Sequence, residues 1–125
     1  MKKLLLLALL CLSFVASKAQ IKVTNNTNCD IVVTPFCYDP VTCNIVNFCP
    51  ATVVPAHTTI PLPPWPCQPP FIQGYQVCWV QCPNFCVEVA PPGRPCFPPQ
   101  AVLPACSPCP PANVFVNAAG NITVQ

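Results

Sequence analysis

A chain of 125 residues with 53% apolar and only 6% charged side chains, 20 prolines and 12 cysteines is too apolar for the disordered class and too rich in proline for a helical one. Its formal charge of +2 is a property of the whole chain: Lys2, Lys3 and Lys18 lie at the N-terminus, and beyond them only Lys22 and Arg94 face Asp30, Asp39 and Glu88. So few charges leave no electrostatic footprint for nucleic acid or for an anionic membrane surface, and both are excluded as primary partners.

The first nineteen residues have the order of a secretory signal. Lys2 and Lys3 precede an apolar run from Leu4 to Val15, and Ser17 and Ala19 supply the small side chains of a cleavage site. The expected cut follows Ala19. An uncleaved anchor is the alternative, but the run reaches only about 18 Å at the helical rise, against the roughly 30 Å of a hydrocarbon core. The segment looks bacterial, so the expectation is a bacterial protein that is secreted or held at the cell surface, with no membrane contact after cleavage. Residues 1–19 are then the signal peptide and 20–125 one disulfide-stabilised domain.

The mature part alternates short β-prone runs with turns. Ile21 to Thr24 alternates apolar and polar residues and predicts a first strand; Asn25, Asn26 and Asn28 predict a turn. Ile31 to Phe36 is a second strand and Asn44 to Phe48 a short third. Ala51 to Val54 and Thr58 to Leu62 flank Pro55 and His57, as two strands or as one with a bulge. Pro61 to Pro70 is too proline-rich for a central strand and predicts a stiff surface loop carrying Trp65. Pro91 to Pro111 is a second such loop, pinned by Cys96, Cys106 and Cys109. Val114 to Val116 and Ile122 to Val124 form a terminal hairpin, because Gly120 or Asn121 can take the positive φ of its connection.

The segment from Gly74 to Val89 specifies its own register. Folded back around Gln81 to Pro83, it sets Trp79 opposite Phe85, Val77 opposite Val87 and Tyr75 opposite Val89, six residues on one apolar face. The other face carries Gln76, Cys78 and Val80 against Asn84, Cys86 and Glu88, and a slip by one residue would mix the two. This register puts Cys78 opposite Cys86, so a bridge between them is expected unless either cysteine is drawn to a loop. The fold class is therefore all-β: a small, disulfide-rich antiparallel β-sandwich, Greek-key-like, with long proline-rich loops.

Chemistry is sparse. A triad of Ser107, His57 and Asp30 or Asp39 can be written, but Ser107 lies between Cys106 and Pro108 with none of the strand–turn–helix context of a nucleophile. The Cys106-Ser-Pro-Cys109 motif lacks the helix that activates a redox dithiol, and a structural role, as two unrelated disulfides or one strained local one, explains it better. Zinc is disfavoured where thiols oxidise, and no second such motif completes a site. No catalytic residue, cofactor or metal is expected, and the chain is read as a non-enzyme. Two sequons, at Asn25 and Asn121, are left as chance. The cysteines of the mature part are Cys29, Cys37, Cys43, Cys49, Cys67, Cys78, Cys82, Cys86, Cys96, Cys106 and Cys109. Their odd number leaves one buried and inert or bridging to another molecule, either a second copy or another extracellular protein.

Three readings of function follow. The first is a structural or interaction module at the cell surface or in an extracellular assembly. The second is a lectin-like binding domain stacking its ligand on Trp65, Tyr38 or Tyr75. The third is an inhibitor or toxin that inserts the Pro61 to Pro70 loop into a target.

Overall fold

The computed structural model describes residues 20–125, and the signal-peptide reading lies outside the described residues. Ten strands follow one another: β1 (Lys22–Asn25), β2 (Ile31–Tyr38), β3 (Ile45–Phe48), β4 (Thr52–Val54), β5 (Thr58–Pro61), β6 (Ile72–Trp79), β7 (Cys86–Val89), β8 (Gln100–Leu103), β9 (Ala112–Val116) and β10 (Ile122–Val124). They form two sheets. The first runs β5-β1-β10-β9-β8; the second runs β3-β2-β6-β7, with β4 also paired to β2. The chain changes sheet at Pro55 to His57, where His57 takes a φ of 58°, so β4 and β5 are separate strands rather than one bulged strand.

The sandwich expected from the sequence is present, with one departure from antiparallel order. β1 pairs parallel with β10, Val23 opposite Ile122 and Asn25 opposite Val124. A second departure is β8, a strand inside the region read as loop; it pairs with β9 from Gln100↔Phe115 to Leu103↔Ala112. Proline at its flanks concealed a run, Gln100 to Leu103, that is itself free of proline.

Alternation fills the space between the sheets. Val23, Ile122, Val124, Val114, Val116 and Leu103 from the first sheet meet Ile31, Val33, Val54, Tyr75, Val77, Trp79 and Val89 from the second, all buried in one cluster. At about 1.5–3 kcal/mol for each buried aliphatic or aromatic side chain, this is the main favourable term in the fold. Trp79 satisfies its one donor by bonding the Pro104 carbonyl from Nε1 at 2.7 Å. Asn25 is the single buried polar residue among those described. Its Nδ2 donates to the carbonyls of Cys29 and Val54, and its Oδ1 accepts from the backbone N–H and hydroxyl of Thr27. The sequon at Asn25 is thus a structural element: its amide fastens β1 to the following turn and to β4 of the other sheet.

The β6–β7 hairpin has the expected register, Tyr75↔Val89, Gln76↔Glu88, Val77↔Val87 and Cys78↔Cys86. Trp79 donates its N–H to Phe85, which makes Cys78 and Cys86 a pair of the closer, non-hydrogen-bonded kind, with Cα atoms 4.1 Å apart. Their disulfide forms. The turn is wider than the expected three residues: Phe85 N–H bonds the Cys82 carbonyl within it, and Cys82 is bridged to Cys106. Phe85 accordingly leaves the buried face and is exposed.

Pro35 lies inside β2, which has strands on both sides. Its carbonyl accepts from Cys49 N–H at 2.8 Å, on the side where β3 and β4 follow one another along the same edge. The missing N–H of Pro35 therefore falls at the break between those two strands, where no ladder bond is lost.

Candidate functional site

Among the described residues five disulfides are present: Cys29–Cys109, Cys37–Cys67, Cys43–Cys96, Cys78–Cys86 and Cys82–Cys106. Cys106 and Cys109 belong to different bridges, so of the two structural alternatives the local bridge is not formed, and this C-x-x-C is no dithiol switch. The two proline-rich loops are tied down by the first three bridges and the last. Cys49 is the unpaired cysteine among the described residues. It follows β3 and is half-buried, and that burial pushes its thiol pKa above the ordinary value.

The surface around Cys49 is apolar and unpaired. β3 and β4 each pair only with β2, so their outer edges are free. From Ile45 to Val54 there is no charged residue. Val46 is 48% exposed, Phe48 54% and Val53 51%. Natural edges are commonly blunted by charge, and here Pro50 alone interrupts the lane.

Of the three aromatic residues expected to stack a ligand, Trp65 is exposed in its loop, while Tyr38 and Tyr75 are corrected by the structure. Tyr38 lies on the outer face of β2 but is covered: Phe97 meets it edge-on at 4.8 Å, Phe36 packs beside it at 5.9 Å, and its hydroxyl donates to the Pro95 carbonyl at 2.7 Å. Burial raises its pKa, opposed by the nearby Arg94 guanidinium. Gly74 makes room for this cluster, since a Cβ there would stand 2.5 Å from the Phe36 ring. Tyr75 points the other way, into the sandwich, and burial pushes its pKa up to about 12. Neither ring offers a face to solvent. The period-2 pattern correctly put Tyr75 on an apolar face, and burial of its ring follows from that same pattern.

A cavity of about 380 Å³ opens where the tip of Tyr75 reaches the surface, between the Pro91 to Arg94 turn and the Ala118 to Gly120 turn. Sequence reading passed over Arg94 and Gln73, which line it. The signal available was the position of Arg94, one of two cations beyond Lys18, directly after a Pro-Pro-Gly turn.

The groups considered for catalysis are occupied locally. His57 Nε2 bonds Asn28 Oδ1 at 2.7 Å. Asp30 Oδ1 accepts from Ala56 N–H, and Asp39 Oδ1 accepts from Val41 and Thr42 N–H, both closing turns. The five bridges suit an oxidising, extracytoplasmic setting, and among the described residues no helix is long and apolar enough to cross a membrane. No protein-family model matches the chain, and no curated protein or solved structure is similar enough to count as a match.

Proposed function

We propose that this chain is a non-enzymatic structural or interaction module of an extracellular assembly, exported by a bacterium through its N-terminal signal, and that it associates with a second copy of itself along the β3–β4 edge. The observation that carries this reading is the unpaired Cys49 lying at the break of an uncharged, apolar, unpaired strand edge. With no like charges to repel, two such edges can pair by backbone hydrogen bonds and bury Val46, Phe48 and Val53 against their counterparts. Two Cys49 thiols then join as a disulfide. The two electrons and two protons they lose go to the disulfide-exchange oxidant of the compartment, the reagent that also makes the five internal bridges. The local capping roles of Asp30, Asp39 and His57 support a non-catalytic reading.

The test is the intact mass of protein made in an oxidising compartment and alkylated at lysis, before and after reduction. The expected result is a species of twice the chain mass that reduction collapses, and that Cys49→Ser abolishes. Val46→Lys with Phe48→Lys should reduce its yield about tenfold without altering the internal bridges, by charging both edges. A non-reduced monomer carrying one alkylated thiol, with no association at high concentration, would overturn the reading. Iodoacetamide should label Cys49 in the reduced-edge monomer more slowly than free cysteine at pH 8, because a raised pKa leaves less thiolate.

A further inference from the structure

The cavity between the two turns is lined by the polar side chains Gln73, Tyr75 and Arg94 together with short apolar residues. We infer that it binds a small carboxylate carried on a polyhydroxy body, the chemistry of an acidic monosaccharide. This site stands apart from the β3–β4 edge and does not depend on the reading of that edge.

Four observations carry the assignment. The first is charge. Among the described residues Arg94 is the one charged residue lining the cavity, and no Asp or Glu lines it. A single exposed guanidinium matches a single carboxylate, which it can hold through two parallel N–H···O bonds, and suits a dianion less well. The second is Tyr75. Its side chain is 1% exposed, and its hydroxyl lies at the cavity, 3.6 Å from where a Cβ on Gly120 would stand. With its pKa near 12 it remains protonated at any physiological pH and can both donate and accept, which suits a sugar hydroxyl.

The third is the shape of the walls. Pro91, Pro92, Ala118 and Ala119 present short, rigid apolar surfaces that suit the C–H face of a ring, and Gln73 adds an amide with both donors and an acceptor. The fourth is Gly120, whose φ of 87° carries the turn past the Tyr75 hydroxyl; a side chain there would be strained by that backbone conformation. A volume of about 380 Å³ lies within the roughly 300–1,000 Å³ of small-molecule sites.

The experiment is an amide NMR titration of the oxidised protein with glucuronate, glucose and acetate in parallel. Glucuronate should shift the amides of Gly93, Arg94, Ala119 and Gly120. Glucose, which lacks the carboxylate, and acetate, which lacks the ring, should each bind at least about tenfold more weakly. Arg94→Gln removes the guanidinium from an exposed turn and should weaken glucuronate by about tenfold or more. Tyr75→Phe keeps the buried ring and should weaken it about fivefold, through the lost hydroxyl alone. The assignment fails if glucuronate leaves those amides unmoved, if Arg94→Gln binds it as the parent does, or if acetate binds as tightly as glucuronate.

Discussion

The two sheets are held by different means. No strand of the first sheet, β5-β1-β10-β9-β8, contains a cysteine; it is held by its ladders and by the apolar face it presents to the second sheet. The second sheet carries Cys37 on β2, Cys78 on β6 and Cys86 on β7; of the remaining bridges, Cys43–Cys96 ties the turn after β2 to the loop after β7, and Cys29–Cys109 and Cys82–Cys106 tie the β8–β9 connection to the loops flanking β2 and β6. The difference follows from composition. The prolines of the 61–70 and 91–111 loops remove backbone donors that would otherwise tie those loops to a sheet, and the cysteines replace that attachment covalently. Where β-branched residues alternate without interruption, burial suffices.

This contrast predicts unequal costs. Removing Cys29–Cys109, by a double substitution to Ala, should be the most damaging change. Its partners are 80 residues apart, and the chain-entropy estimate is about 4.5 kcal/mol, an upper bound when other bridges shorten the effective loop. Removing Cys78–Cys86, 8 residues apart within a hairpin already in register, should cost about 2.5 kcal/mol. Chemical denaturation of both double variants compares them directly, and equal losses would mean that the loops are held by packing rather than by their bridges. Asn25→Ala comes next, at about 2–3 kcal/mol. It removes the side-chain donor to the Val54 carbonyl and the acceptor of the Thr27 N–H, and leaves the Cys29 carbonyl with the Thr27 hydroxyl as its side-chain donor. A melting temperature unchanged in that variant would show that the link is dispensable.

The smallest effect is a pH dependence. Tyr75 has its folded pKa raised to about 12 and Tyr38 has its own raised, so both phenols stay protonated in the fold after they ionise in the unfolded chain. The unfolded state then binds fewer protons than the native one, and stability falls as pH rises. The stability associated with Tyr75 is complete below pH 10 and is lost between pH 10 and about 12, roughly 2 kcal/mol in all. Tyr75→Phe should flatten that slope in denaturation curves measured across the window; an unchanged slope would assign it to other groups.

Much of the second sheet's central hairpin was legible in the sequence, down to the pairing of Cys78 with Cys86. The terminal hairpin was legible as well, with Gly120 in its left-handed position. The candidate sites were less so. The odd cysteine count announced a free thiol, but Cys49 became that thiol only because Cys37 and Cys43 on either side of the β2–β3 turn met Cys67 and Cys96 from distant loops. Tyr38 is buried because a loop residue, Phe97, folds across it, and no local pattern carries that information.

The sequence by itself determined the all-β class, the strands of both hairpins and the register of one of them. These depend on alternation along adjacent segments, where neighbours in sequence are neighbours in space. The tertiary structure alone decided four of the five bridges, the parallel pairing of β1 with β10, the break in the edge opposite Pro35, and the cavity that joins Arg94 to Tyr75. Each of these requires segments far apart in the chain to come within a few ångströms, and their separation is set by how the two sheets pack rather than by any residue's own preference.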